Sequence, residues 1–565
     1  MSNINIQAKK DRTYDAIVIG SGISGGWAAK ELCEKGLKTL VLERGRNVEH
    51  LKDYPTALKA PWELPHRGRL TLDFLQDNPV MASCYAVDES TQHFFVKDAE
   101  QPYVQKKPFN WIRGYQVGGK SLVWGRWTQR WSDLDFEANI RDGIAIDWPI
   151  RYKDIAPWYS YVERFVGISG NKDGIAHLPD GEFQAPMEMN CLEKHFKKSI
   201  ENRWSDRKLI ISRTANLTEQ LEGRGPCMYR DKCARGCPFA GYFSSNTATL
   251  PAAAKTGNMV LRPNATVASI LYDEEKGKAT GVSLLDASGK STEEFYAKII
   301  FVNAGTLNST ALMLNSVSGR FPNGFGNDSG ALGHYLMDHN YRASLGGEHE
   351  GFQDKTTFGR RPTGVYIPRF RNIGDDSIPD FIRGYAFAAG GSRRMGDYSE
   401  QLLGAPLKAA RSRPDVWDLW MTGMGECLPY AENKVTLSSD KKDPFGLPQL
   451  EIDCEFKENE LQMLKDILRT GREMLENAGF INIYASDTQK PPGLGIHEMG
   501  TARMGRDPKT SVLNAFNQVW AAPNVFVTDG SCMTSSACQN PSLTYMALTA
   551  RAVDHAVSEL KKRNL

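Results

Sequence analysis

Tyr14 to Gly20, YDAIVIG, is a short β-branched apolar run ending in glycine, and GSGISG then places glycines at 20, 22 and 25 ahead of a helix-compatible stretch from Ser24 to Lys35. A second apolar strand follows at Lys38 to Leu42. This is a βαβ unit. Glycines at that spacing let the backbone turn tightly, approach a pyrophosphate and aim helix N-terminal amides at it. Glu43, in VLERG, closes the second strand about 20 residues on, where a carboxylate accepts hydrogen bonds from a ribose diol. Strand, glycines and acid together predict a dinucleotide site in an α/β fold with a doubly wound sheet. They do not separate FAD from NAD.

The chain has 565 residues with 41% apolar content, enough for a sizeable core and more than one domain. Its 69 basic and 67 acidic side chains leave a formal charge of only +2, and no Lys/Arg run resembles a nucleic-acid or membrane-surface footprint. Nucleic acid is therefore not an expected partner. The N-terminal residues lack the apolar core of a secretory signal, and no segment has the ~18 uninterrupted apolar residues of a spanning helix. The expected location is cytoplasmic, or periplasmic if the chain is exported with a signal-bearing partner subunit. Ten cysteines are too sparse for a disulfide scaffold, so reduced thiols are expected.

Residues 53 to 105 lack strong periodicity and read as a surface excursion or lid. Strands are expected at Lys298 to Val302, Phe381 to Ala388 and Asn524 to Thr528. Glu458 to Ala478 places Leu461, Leu464, Ile467, Leu468 and Leu475 on one helical face, and Leu543 to Lys562 does the same with Leu548, Ala552, Ala556 and Leu560. Both stripes read as core packing.

Beyond these elements, VGGKSLVWGRW (Val117 to Trp127) resembles the second flavin-contacting signature of the glucose-methanol-choline (GMC) oxidoreductases, and VNAGTLNSTALML (Val302 to Leu314) resembles the third. The likeness continues through GNDSGALGHYLMDH (Gly326 to His339), HEMGTARMG (His497 to Gly505) and the run from Val527 to Ala552, covering nearly the whole chain in the family's order. It implies a GMC-type FAD-binding Rossmann-like domain interleaved with an α+β substrate domain built on an antiparallel sheet. Residues 1–335 would then be mainly FAD domain with the lid and a cysteine loop inserted, 336–495 mainly substrate domain, and 496–565 the return to the FAD domain. The implied cofactor is FAD, with Gly20, Gly22, Gly25, Glu43, Arg44, Gly118, Gly119, Ser121, Val267, Ala304, Asp529, Gly530 and Asn540 about it. Similar pyranose 2-oxidases tie the flavin covalently through a histidine whose position here is Val123, so a non-covalent flavin is expected.

Alcohol oxidation by a flavin needs a base for the hydroxyl proton, and an imidazole exchanges protons near neutral pH. The resemblance assigns that base to His497 and the partner that orients the substrate oxygen to Asn540. A lone histidine is more often a hydrogen-bonded core residue; its place in HEMGTARMG lifts His497 above that reading. His339, in LMDHN, is expected to be structural, near the domain junction.

Cys227, Cys233 and Cys237 fall within eleven residues, CMYRDKCARGC. Three thiolates on one irregular loop suit a three-iron, four-sulfur (3Fe-4S) cluster with one sulfur ligand per iron. Zinc, the main rival, prefers four ligands, and the loop has neither a fourth cysteine nor a nearby histidine, although Asp231 is at hand. A disulfide plus one free thiol fits three residues poorly. Cys427 and Cys532 read as packing residues. The loop also resembles that of bacterial FAD glucose dehydrogenase catalytic subunits, with Met228 where those relatives often carry another cysteine. The resemblance as a whole points to a sugar or glycoside dehydrogenase like glucoside 3-dehydrogenase, passing electrons to a cytochrome c-type or quinone acceptor with a small accessory subunit. Glucose 1-dehydrogenase and gluconate 2-dehydrogenase catalytic subunits, an oxygen-reducing pyranose oxidase-like enzyme, and a flavin-carrying subunit without turnover are the alternatives. Trp124, Trp127, Tyr385, Trp417 and Trp420 are candidates for stacking on a sugar, with core packing the commoner role for such residues.

Overall fold

The computed structural model describes residues 11–285, 292–357, 359–374, 377–395, 402–412 and 414–565. The first ten residues of the expected signal-free N-terminus lie outside this set. Strand Thr13–Ile19 leads into helix Ile23–Glu34 and then strand Thr39–Leu42, the βαβ unit expected from the sequence. Five strands run parallel in the order Ala522–Val527, Thr292–Val302, Thr13–Ile19, Thr39–Leu42, Met259–Arg262. Gln518–Val519 adds an antiparallel edge, and the hairpin of Thr266–Asp273 and Lys278–Leu285 pairs with the early part of Thr292–Val302. The central strands are apolar on both faces because both are covered: Ile17, Val18, Leu40, Val41, Ile300 and Phe301 are all completely buried. Helices Ile23–Glu34, Thr249–Lys255, Tyr152–Val166 and Ser542–Lys561 pack together on this sheet, with Leu548, Ala552 and Ala556 of the last fully buried.

A second, antiparallel sheet has the order Ile481–Asp487, Ala343–His349, Pro414–Gly425, Tyr385–Met395, Val365–Ile367, Ile210–Ile211. Helix Glu458–Asn477 lies across it. Its buried stripe is Met463, Leu464, Ile467, Met474 and Leu475, while Leu461 and Leu468 of the expected face are only half-buried. The buried stripe is displaced toward Met463 and Met474, and Gly471 lies close against the sheet, where a Cβ would sit 2.4 Å from Leu345 Cδ2. The strand expected to begin at Phe381 begins at Tyr385. Arg383 interrupts it with a left-handed φ of 71°, which sends its guanidinium to Asp142 and to Asn139 Oδ1.

The chain crosses between the two sheets more than once. Helix Cys191–Arg203 and strand Ile210–Ile211 belong to the antiparallel sheet although they lie within residues 1–335. Conversely, the hairpin of Lys434–Lys442 and Pro448–Asp453, joined by Val104–Gln105, packs on helix Thr306–Asn315 of the parallel sheet. Residues 53–105 form a cap with its own buried cluster, Tyr54, Ala57, Met81, Cys84 and Phe94, held against Ile112 and Leu122. Its helices span three to six residues, too short to leave a periodic pattern. Among the described residues no helix is long and apolar enough to cross a membrane.

The helix lying across the antiparallel sheet sets a stability test. Ile467 is fully buried, so Ile467→Ala is expected to cost about 2–5 kcal/mol, and half-buried Leu461→Ala clearly less, in urea unfolding. Equal losses would contradict the packing described.

Candidate active site

Gly20 and Glu43 directly follow the carboxyl ends of their strands, Ala304 and Asp529 come one residue later after two more, the four strands are adjacent and parallel, and all four residues line one cavity of about 320 Å³. Gly20 has a φ of 95°, and a Cβ there would lie 2.3 Å from the Asn303 carbonyl oxygen, so no other residue fits the turn. Gly22 faces open space, and no side chain caps the N-terminus of helix Ile23–Glu34, nor does its first turn carry an acid. Uncapped amides aimed at a cavity suit a phosphate. Gly25 does not reach the cavity; a Cβ there would sit 1.9 Å from the Gly20 oxygen, so its role is helix-to-strand packing.

The Glu43 carboxylate accepts from Ser21 N (3.1 Å), Ser21 Oγ (2.6 Å) and Gly45 N (2.9 Å), while its burial raises its pKa. Three donors hold it in place and leave lone pairs free for further hydroxyls. Arg44 bonds Gln101 and Asp443 and stacks on Tyr115, closing that end with the hairpin residues Leu437 and Leu450. Val267 lines the same end. Asp529 accepts from Gly305 N (2.9 Å) and Ser531 N (3.0 Å) and from two serine hydroxyls, which ties the last strand to the start of helix Thr306–Asn315. Gly119, Ser121, Val123 and Gly530 line the middle of the cavity, whereas Gly118 stands behind it and donates its N–H to Ser21 Oγ at 3.0 Å.

The far end holds His497 and Asn540, with Asn540 Nδ2 3.2 Å from His497 Nε2. Lys120, paired with Glu498 at 3.1 Å, and Tyr85, Trp124, Arg126 and Trp127 also face it. Trp124 and Trp127 are thus in reach of a ligand; Tyr385 and Trp417 are buried in the antiparallel sheet and Trp420 lies outside the cavity. Burial, then the neighbouring His339 and Lys120, hold the His497 pKa well below the usual imidazole value.

The sequence reading missed the machinery behind His497. The Asp338 carboxylate accepts from Gly493 N (2.8 Å), Gly495 N (3.0 Å) and His497 N (3.0 Å), pinning the loop that carries the imidazole. Burial raises the Asp338 pKa to about 6 against those bonds. His339 is fully buried and its Nδ1 lies 2.8 Å from His497 Nδ1, so it sits at the domain junction but touches the candidate base directly. The segment LMDHN carried the signal, an acid and a histidine in a matched motif, without showing what they face.

All ten cysteines are free thiols, with Cys427 and Cys532 buried. Cys227, Cys233 and Cys237 line a separate small pocket of about 20 Å³ with Asn216, Arg230 and Tyr242, on a loop whose left-handed residues include Tyr229, Asp231 and Ala240. Burial pushes the Cys227 thiol up to about 11. Among the described residues no three His, Cys, Asp or Glu side chains are arranged to hold a metal ion. Asp231 turns outward to Arg360 (3.5 Å) and supplies no fourth ligand for zinc. Cys227, Cys233 and Cys237 are three half-buried free thiols that line one pocket. Arg126 lines the main cavity and lies over the ring of Tyr242, 5.0 Å from its centroid, so these two residues form the wall between cavity and cysteine pocket.

The GMC oxidoreductase family matches residues 14–341 with its N-terminal part and 429–549 with its C-terminal part. Over its whole length the chain is 25% identical to the whole fructose dehydrogenase large subunit of Gluconobacter japonicus. It is 28% identical to the 2-methyl-1,2-propanediol dehydrogenase of Mycolicibacterium austroafricanum, over 96% of this chain and 94% of that one. Identity to the C-glycoside 3-oxidase of Arthrobacter globiformis is 27%, over 51% of each chain. Cavity, uncapped glycine turn and family match agree: this chain belongs to the GMC oxidoreductases, two-domain FAD enzymes, with dehydrogenase relatives that act on alcohol and sugar CH–OH groups.

Proposed function

We propose that the chain is a dehydrogenase that oxidises a secondary hydroxyl of a sugar or glycoside to a keto-sugar, in the manner of glucoside 3-dehydrogenase. The observation that carries this reading is the pairing of His497 Nε2 with the Asn540 amide at the end of a cavity whose other end has the Glu43 carboxylate and the Gly20–Gly22 turn. FAD, when bound, supplies a hydride acceptor for the carbinol carbon. Gly20, Gly22, Glu43, Arg44, Gly119, Ser121, Val267, Ala304, Asp529 and Gly530 would hold it, without a covalent bond since Val123 has no nucleophile. Asn540 donates an amide N–H to the substrate oxygen, and His497 Nε2 accepts the hydroxyl proton. Trp127, Trp124 and Tyr85 offer apolar faces to a sugar ring.

The cysteine loop is proposed to hold a three-iron, four-sulfur cluster through Cys227, Cys233 and Cys237, which would supply one-electron chemistry and favour a cytochrome or quinone acceptor over oxygen. Its support is the shared pocket of the three thiols and the thin wall of Arg126 and Tyr242. Met228 and Phe239, exposed beside that pocket, are a suitable contact for the accessory subunit or cytochrome c-type partner that the family resemblance implies.

Three outcomes follow. His497→Ala is expected to keep flavin and lose turnover by about 10²–10⁴-fold, the usual contribution of a positioned base; near-normal turnover with glucose and simple glucosides would remove the assignment. Because the His497 pKa is depressed and the base must be unprotonated, kcat/KM is expected to stay on its plateau below pH 6.5 and fall only at lower pH, so an acid limb centred above 6.5 speaks against His497 as base. Iron and acid-labile sulfide should accompany flavin in purified protein and be lost in Cys233→Ser, with dye-linked turnover retained; an iron-free native protein rejects the cluster. NMR of the keto-sugar product reads which carbon is oxidised, and anaerobic dye reduction without peroxide separates a dehydrogenase from an oxidase.

A further inference from the structure

The geometry points to a role for His339 that the family assignment does not contain: we propose that it is a positioning residue which keeps the proton of His497 on Nδ1 and so leaves Nε2 bare to act as base. The inference rests on the reading of His497 as base and deepens it.

Donor and acceptor capacity, with burial, fixes where the protons sit. His339 Nε2 is hydrogen-bonded to the carbonyl oxygen of Ala537, and a carbonyl can only accept, so that nitrogen carries a proton. His339 is completely buried, and among the described residues no carboxylate is hydrogen-bonded to either ring; the neighbouring Asp338 carboxylate is taken up by three backbone N–H groups. Burying an imidazolium without a counter-charge is costly, so the ring is neutral, with one donor and one acceptor nitrogen. Its Nδ1 is therefore the acceptor, and the 2.8 Å approach of the two Nδ1 atoms requires His497 to donate. Neutral His497 then has no hydrogen on Nε2. The Asn540 amide nitrogen, 3.2 Å from Nε2, can only donate, which agrees with that assignment.

The chain of hydrogen bonds thus has one direction: Asn540 N–H to His497 Nε2, His497 Nδ1–H to His339 Nδ1, His339 Nε2–H to Ala537 O. Reversing it would require a carbonyl to donate. The rings meet edge to face, with centroids 4.8 Å apart and planes at 79°. The backbone fixes that meeting from both sides, because Met337 pairs with Met499 and Asn340 with Gly425. When Nε2 accepts a substrate proton, the Nδ1–H of His497 keeps its acceptor, and the bond becomes charge-assisted, stabilising the imidazolium where it forms.

The test is a spectroscopic one on the flavin-loaded full chain labelled with ¹⁵N-histidine. Long-range ¹H–¹⁵N correlations are expected to show His497, assigned by the signals lost in His497→Ala, with a protonated Nδ1 and a bare Nε2. His339→Gln keeps an acceptor toward His497 and a donor toward Ala537, and is expected to preserve that tautomer and restore most of the turnover that His339→Leu loses. His339→Leu offers no acceptor and is expected to mix or reverse the tautomers and lower kcat by about 10²-fold with KM little changed. A native His497 carrying its proton on Nε2 overturns the inference, as does a His339→Leu enzyme with native tautomer and turnover. Should His339→Leu fail to fold, the native spectrum and His339→Gln still decide. Normal turnover in His497→Ala sinks the base assignment instead, so the two failures are distinct.

Discussion

Parallel pairing of Thr13–Ile19 with Thr39–Leu42 on one side and with Thr292–Val302 and Ala522–Val527 on the other brings four carboxyl ends to one edge of one sheet. Every strand of a parallel sheet presents its functional turn at the same edge, so residues 304 and 529 become neighbours of residues 20 and 43 although hundreds of positions separate them from that pair. The cofactor end of the cavity follows from that alignment. Glu43 and Asp529 then act as local clamps, each held by backbone and serine donors that fix its carboxylate at the edge.

The reactive end depends on a different element. Residues 337–340 form a seam: Met337 pairs with Met499 beside the parallel sheet, and Asn340 pairs with Gly425 at the end of a strand in the antiparallel one. Between those two anchors, Asp338 gathers three amides of the 493–497 loop and His339 meets His497. The candidate base is therefore set at the junction of the two sheets, and movement of one against the other acts on its position. Removing the Asp338 carboxylate would leave three buried or half-buried amides without their acceptor, a cost that falls directly on the loop holding the imidazole.

The cap and the cysteine loop are built as a unit. Arg230 donates to the Ala57 carbonyl (2.6 Å), Lys232 to the Lys59 carbonyl (2.7 Å), and the ring of Tyr54 fills the space beside Gly236. The residues that close over one side of the cavity also hold the loop that carries three thiols. Arg126, with a φ of 66° and with Nε and Nη1 atoms that are buried and have no hydrogen-bond partner among the described residues, stands between the two compartments. A guanidinium in that position biases both compartments toward negative charge.

Local chemistry made some of this visible in the chain itself. Gly20 and Glu43 were legible because turn, helix start and acid lie within one βαβ unit, where spacing along the chain is spacing in the fold. The helices at 458–477 and 542–561 were legible from their periodicity, although the first buries Met463 and Met474 rather than Leu461 and Leu468. The short helices of residues 53–105 left no period to read, and the bend at Arg383 depends on Asp142 and Asn139, residues far away in sequence. His497 and Asn540 could be named by family likeness, but the partnership of His497 with Asp338 and His339 spans more than 150 positions. Hydrogen bonds have direction and a reach of about 3 Å. Sequence determined which donors and acceptors exist; only the meeting of two sheets decided which of them face each other, and hence which nitrogen of His497 is left bare.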